Sequence, residues 1–268
     1  MAKSKLNVPC KGWQRDLPEP NEPIEESPSL LWLAPTYIDQ IFLELSRNTS
    51  TVRGLVLCGA ALMAAVSIHF FFFSISLFTD SQFAGQISIA EYAGFLLVAI
   101  SCIVLFVWLT CLLYRMDVSP PRDLPLRFNR MRRKVYVYGF HSVWWNPFTR
   151  WHVTTASYDW DDLRAEKWKV RGATAGGAPI IKEGVSIAVV KPGTNEVITR
   201  FDFSTTAANT TNLWAYVCSY MQHGTERLDP DHAEPRDPND VAPYNVALRL
   251  APKVEWPADM DHESRTAP

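Results

Sequence analysis

Apolar residues in this chain gather into two unbroken blocks, and only beyond them does the pattern break into alternation. The first block, Gly54 to Phe78, reads GLVLCGAALMAAVSIHFFFFSISLF and carries no formal charge. At 1.5 Å per residue, about 25 residues of helix exceed the roughly 30 Å hydrocarbon core of a bilayer. The second block, Tyr92 to Tyr114, is equally uncharged and bounded by tyrosines, which favour the membrane–water interface. A buried helix of a soluble protein seldom stays apolar on every face for this length, so the pair predicts a transmembrane hairpin over residues 54–114.

Orientation follows from lysine and arginine. The connecting stretch Thr79 to Glu91 contains Asp80 and Glu91 and no basic residue. Arg47 and Arg53 precede the first block, and Arg115, Arg122, Arg127, Arg130, Arg132, Arg133 and Lys134 follow the second. The positive-inside rule then places both termini in the cytoplasm, with a short loop outside. The first block starts beyond residue 50, behind a polar leader, which does not resemble a cleavable signal peptide. His69, the one titratable side chain in either block, is either an intramembrane functional group or an imidazole bonded to the partner helix at Ser101. Ala60/Ala64 and Ala61/Ala65 give small residues at four-residue spacing, which permits close packing within the hairpin or in a homo-oligomer.

Residues 1–53 form a cytoplasmic N-terminal segment. Six prolines there argue against a stable fold before about residue 30. Tyr37, Ile38, Ile41, Phe42 and Leu45 then recur at helical spacing and predict a short juxtamembrane amphipathic helix. After the second block, Pro120, Pro121 and Pro125 mark a linker, and the period changes to two. Leu126–Arg130 and Lys134–Tyr138 flank a basic turn and predict a hairpin. Strands are expected at Trp151–Ser157 and Leu163–Val170, separated by the acidic turn Tyr158–Asp162. A glycine-rich loop, Gly172 to Gly177, leads to a second hairpin, Ser186–Val190 with Val197–Phe203, around Lys191–Glu196.

Leu213, Tyr216, Val217, Tyr220 and Met221 form one helical stripe, with Ser204 as the expected N-cap and Gly224 suited to the C′ position. The fold class predicted is a membrane α-hairpin plus an α+β cytoplasmic domain (residues 120–224), its antiparallel strands closed by a C-terminal helix. That element order resembles the pleckstrin-homology-like or GRAM-like arrangement. Residues 225–268 are acidic and proline-rich and are expected to be largely extended. Within them, Val246, Leu248 and Leu250 alternate as an edge strand would, and Trp256 can anchor the tail in a groove.

Net charge over the 268 residues is −2, which argues against a general nucleic-acid binder. Cys10, Cys58, Cys102, Cys111 and Cys218 lack any metal-ligand or disulfide-framework spacing and read as isolated small apolar side chains. No P-loop, GxSxG or HExxH motif occurs. Asp159, Asp161 and Asp162 read as turn chemistry. Asp229, Asp231, His232, Asp237 and Asp240 lack the glycine and terminal glutamate of an EF-hand loop. The sequence therefore predicts no enzyme, cofactor or metal.

Two features remain as candidate sites. Arg130, Arg132, Arg133 and Lys134 stand a short linker from the bilayer and either bind anionic lipids or only enforce topology. Trp144 and Trp145, with Phe148, lie in the loop WWNPF between strands, where a pure core role is unnatural and partner recognition is the better reading. Trp256 is the next aromatic candidate for partner binding.

At RFNRMRRKVYVY, WWNPFTRWHV and YDWDDLRAE the text resembles a family of bacterial two-helix inner-membrane proteins associated with type VI secretion and polymorphic toxin loci. The likeness spans roughly residues 30–222. It implies a multi-pass inner-membrane protein that binds a toxin, effector or secretion component through its cytoplasmic domain, as an immunity protein or adaptor. The alternative is a membrane-tethered lipid- or signal-sensing module.

Overall fold

A computed structural model of the chain describes residues 4–30, 35–47, 53–79, 88–173, 179–204, 210–228 and 237–268. Two helices, α1 (Leu55–Thr79) and α2 (Ile89–Val118), are long and apolar enough to cross a membrane. They pack on each other along small residues: Ala60, Ser67 and Ser74, each seven apart, are the buried positions of α1. Ala61 and Ala65 are exposed, so one of the two small-residue lines serves the hairpin. Ser101 donates to the Leu97 carbonyl of its own helix, and His69 lies on an exposed side of α1, so the expected bond between them is not made.

The rest is built from two antiparallel sheets. The strands are β1 (Trp13–Asp16), β2 (Tyr37–Ile38), β3 (Phe42–Leu45), β4 (Leu126–Asn129), β5 (Lys134–His141), β6 (His152–Asp159), β7 (Leu163–Ala173), β8 (Pro179–Val190) and β9 (Val197–Ser204). One sheet has the order β2-β3-β4-β5-β6 and the other β1-β7-β8-β9. Helix α3 (Thr210–His223) closes the core between them with Leu213, Tyr216, Val217, Tyr220 and Met221, the stripe expected from sequence. This α+β architecture agrees with the predicted class. Two short helices follow, α4 (Val246–Leu250) and α5 (Ala258–Arg265).

The apolar hairpin interrupts a sheet. Strands β3 and β4 are hydrogen-bonded neighbours, Leu43 opposite Phe128 and Leu45 opposite Leu126, and α1 and α2 are inserted between them. Chain on either side of the hairpin therefore belongs to one folded body, which the expected boundary at residue 120 would have divided.

Several expectations are corrected. Tyr37–Leu45 is a β-hairpin, not a helix. Asp39 Oδ1 accepts from the backbone N–H groups of Ile41 and Phe42, at 2.7 and 2.8 Å, and turns the chain. The apolar spacing imitates a helix because β3 is buried on both faces. The proline-rich leader is also folded. Strand β1 pairs with β7, and Leu17 and Leu30 join the main core. Prolines here remove donors but keep their carbonyls, and Trp214 Nε1 donates to Pro18 while Gln222 Nε2 donates to Pro20. Ser204 is the last residue of β9, and the residues between it and Thr210, on which its expected capping role depends, lie outside the described residues. Gly172 is part of β7. Val246–Leu250 is a helical turn capped by Asn245, not an edge strand. Asp80, Asp229, Asp231 and His232 lie outside the described residues, as does most of the glycine-rich loop.

The tail forms an ordered cover. In β4, Leu126 and Phe128 point into the core while Arg127 and Asn129 alternate to the other face, yet all four are buried. Residues 256–267 account for this. Arg127 Nη1 donates to Asp261 Oδ1 (2.6 Å) and Ser264 Oγ (2.9 Å), and Asn129 Nδ2 donates to the Ser264 and Thr266 carbonyls, both at 3.0 Å.

Candidate functional site

The end of the hairpin nearest the sheets is closed by a polar clamp. Asp117, in the last turn of α2, accepts from the N–H groups of Gly54 and Leu57, both at 2.8 Å. A carboxylate from one helix thereby satisfies two of the orphan donors at the start of the other and faces its positive dipole end. Arg53 donates to the Pro120 and Pro121 carbonyls at 2.9 and 2.7 Å. Arg47 donates to the carbonyls of Leu124, Asp202 and Tyr138. Burial pushes the Arg47 guanidinium down to about 10 against the pull of Asp123 and Asp202, so it remains charged at neutral pH. The arginines read as topological signals are also the bolts that fix the helices to the domain.

Beside this clamp lies the β5–β6 loop. Strand β5 runs from the β4–β5 turn back toward the hairpin end, because Val137 pairs with Leu126 and Tyr138–His141 continue past it. The loop that follows is fixed internally. Asn146 N–H donates to the Val143 carbonyl (3.0 Å), and Asn146 Oδ1 accepts from Phe148 N–H (3.0 Å). The Asn146 carbonyl takes Thr149 Oγ1 (3.0 Å) and Trp151 Nε1 (3.3 Å). Arg115, one residue past the apolar block, ties the loop to α2. It donates to the Pro147 carbonyl and to the Thr149 carbonyl (2.8 Å), and its guanidinium stacks 4.6 Å from the Trp151 ring centre. Trp151 is buried by these contacts, whereas Trp144, Trp145 and Phe148 stand exposed, Trp144 at 74%. The tryptophan-rich stretch thus divides: Trp160 lies in the core, and the WWNPF side chains are displayed.

The basic turn sits at the opposite end of the sheet. Seven residues of β5, at about 3.3 Å each, separate Lys134 from His141 by roughly 23 Å. Arg132, Arg133 and Lys134 are engaged within the chain. Arg132 donates to the Thr266 and Ala267 carbonyls (2.9 and 2.7 Å), Arg133 pairs with Asp161 (2.5 Å) and Lys134 with Glu263 (2.8 Å). Those bonds hold the Glu263 and Asp161 carboxyls below the usual carboxylate range, the Lys134 and Arg133 hydrogen bonds being the leading causes. Gly224 has a positive φ that favours glycine, and a side chain there would crowd Gln40 Oε1 and Arg130 Nη1. Trp256 packs edge-on to Tyr138, ring centres 5.1 Å apart, with Arg127 at 4.6 Å from its ring. It clamps the tail, as its groove-anchor reading anticipated, and is largely withdrawn from a partner.

Sequence reasoning missed the Glu44–Arg127 ion pair, buried on both sides at 6% and 3% side-chain exposure. Its only trace was a charge in the middle of each apolar strand, FLEL and LRFN. Among the described residues, no three His, Cys, Asp or Glu side chains gather as a metal site would require. Cys218 is buried, and burial raises its thiol far above the ordinary range.

The arrangement defines a class: an α+β domain with an apolar helical hairpin inserted into one sheet and an exposed aromatic loop bolted to the hairpin's end. The chain belongs to a family of unknown function, DUF6708, whose model matches residues 103–246, more than half of its length. That match begins inside α2 and omits β1, β2 and β3, which complete both sheets. No curated protein and no solved structure matches the chain.

Proposed function

We propose that this is a multi-pass inner-membrane protein whose hairpin crosses the bilayer and whose domain, with both termini, works from the cytoplasm as a non-enzymatic binding component. The observation that carries the reading is the insertion of two long apolar helices between hydrogen-bonded strands. Only about a tenth of their most apolar stretches is buried by the rest of the chain, unlike the core helices of a soluble domain. Arginines at the domain end, and no basic residue in the sequence between the helices, support the cytoplasmic orientation. Reporter fusions at Gln86 and at the C-terminus test it: activity of a periplasm-dependent reporter at Gln86 alone is expected, and the reverse pattern overturns the orientation.

The partner proposed is a toxin, effector or secretion component, bound in an immunity or adaptor role. This rests on the sequence resemblance to families at type VI secretion and polymorphic toxin loci. It predicts that cells lacking the chain are killed by a sister strain delivering the cognate effector and that the full-length chain restores survival. Unaltered survival of the deletion strain removes the immunity role.

A lipid- or signal-sensing module is the second reading. The observation favouring it is the order β3 to β6, then β7 to β9, then α3, which resembles a pleckstrin-homology-like domain with the helices inserted in its first hairpin. Its expected basic site is weakened, because Arg132, Arg133 and Lys134 are engaged by the tail and by Asp161, at the sheet end remote from the helices.

A further inference from the structure

We propose that the β5–β6 loop and α4 form an aromatic collar seated in the lipid headgroup layer, so that the surface expected to recognise a protein faces the bilayer. This rests on the reading that α1 and α2 cross the membrane, and it specifies how the domain meets that membrane.

Two apolar displays are each fastened near the end of α2. One is the loop carrying Trp144, Trp145 and Phe148, held by Arg115. The other is α4, which packs against α2 and is held by Arg122. Arg122 Nε donates to the Leu248 carbonyl and Nη2 to the Arg249 carbonyl, both at 3.2 Å, and Nη1 donates to Asn239 (2.8 Å). Around α4, Tyr244 is 87% exposed, and Val246 and Leu250, one helical turn apart, are also exposed while Ala247 between them is buried.

The level of these groups is set by the helix. Arg115 follows Tyr114, the last residue of the apolar block, so its guanidinium leaves the helix where hydrocarbon gives way to headgroups. A rise of about 1.5 Å per residue leaves little latitude in that position. The carbonyls it binds belong to Pro147 and Thr149, and the exposed rings of the loop flank them. Tryptophan and tyrosine favour this layer because a flat apolar ring with a polar edge suits it. Soluble surfaces seldom display contiguous large apolar patches. A protein occupant would explain the exposed rings as well, but not why both displays are fastened to the end of one membrane-crossing helix. Three contacts, the two helices and the collar, would fix the tilt of the sheets against the bilayer.

The test uses the full-length chain in liposomes containing lipids brominated either near the headgroup or deep in the acyl chain. Trp144→Phe with Trp145→Phe keeps the apolar character, and the emission lost relative to the native chain reports the loop. The expected result is that headgroup-proximal bromines quench this difference emission at least twofold more than deep bromines, while aqueous iodide barely affects it. Trp108, inside α2, supplies the separate control: quenching by deep bromines that vanishes in Trp108→Phe reports the spans. Difference emission that is open to iodide and insensitive to shallow bromines, with Trp108 still quenched, overturns the collar and returns the loop to a protein partner. Loss of the Trp108 signal overturns the membrane-spanning reading itself.

Discussion

Replacing Arg127 by Ala is expected to destabilise the folded domain by about 3–5 kcal/mol, the cost of leaving a buried charge without its partner. Glu44 is only 4% exposed and lies on β3 opposite Arg127 in the ladder. Among the described residues, Arg127 is its ion-pair partner. The same substitution removes the tail's anchor, because Arg127 also holds Asp261, Ser264 and the face of Trp256. Glu44→Ala should cost clearly less, since Arg127 then keeps Asp261, which is partly exposed to water and already paired. The asymmetry is the informative part. Denaturant unfolding of both variants in detergent should give the lower midpoint for Arg127→Ala, and limited proteolysis should release residues beyond about 250 from that variant first. Equal midpoints with a protected tail would mean that the pair does not organise this face.

What the sequence made legible follows from how each element is buried. The hairpin helices stand out as unbroken apolar blocks, and the β4–β5 and β8–β9 hairpins and α3 as single periodic signals; each lies where its signal put it, although β8 begins earlier, at Pro179. Strand β3 was misread because Phe42, Leu43, Glu44 and Leu45 are all buried, so no polar face marks a period of two. The tail was misread for a different reason. It docks by hydrogen bonds and ion pairs onto Arg127, Asn129, Arg132 and Lys134, and such contacts leave no apolar stripe to detect. The basic turn looked free for headgroups because its partners, Glu263, Thr266 and Asp161, are distant in sequence. The WWNPF segment lies in a loop between strands as expected, but its place beside the hairpin needed the Arg115 contacts, which join residues more than thirty apart.

Excising the apolar hairpin while keeping the N-terminal strands is expected to leave a soluble, cooperatively folding domain, and a fragment starting at Pro120 is expected not to fold. In the first chain, Arg47 is joined to Arg122 through a short Asn-Gly-containing turn. Leu45 and Leu126 already face each other across the ladder, so the junction converts an insertion into an ordinary antiparallel hairpin. Arg47 keeps its bonds to Asp123, Leu124 and Tyr138. The fragment from Pro120, in contrast, loses Leu17, Leu30, Leu43 and Leu45 from the core. At about 1.5–3 kcal/mol for each fully buried leucine, the loss is roughly 6–12 kcal/mol as an upper estimate. Whole domains are stable by only about 5–15 kcal/mol. The fragment also leaves β4 with a bare edge and Arg127 without Glu44, which favours aggregation by strand pairing. Circular dichroism should show a β-rich spectrum with a minor helical part and one sharp thermal transition for the joined chain. A sharp transition from the Pro120 fragment, with aggregation of the joined chain, would show that residues 13–45 decorate the domain and that its core lies wholly after the second helix.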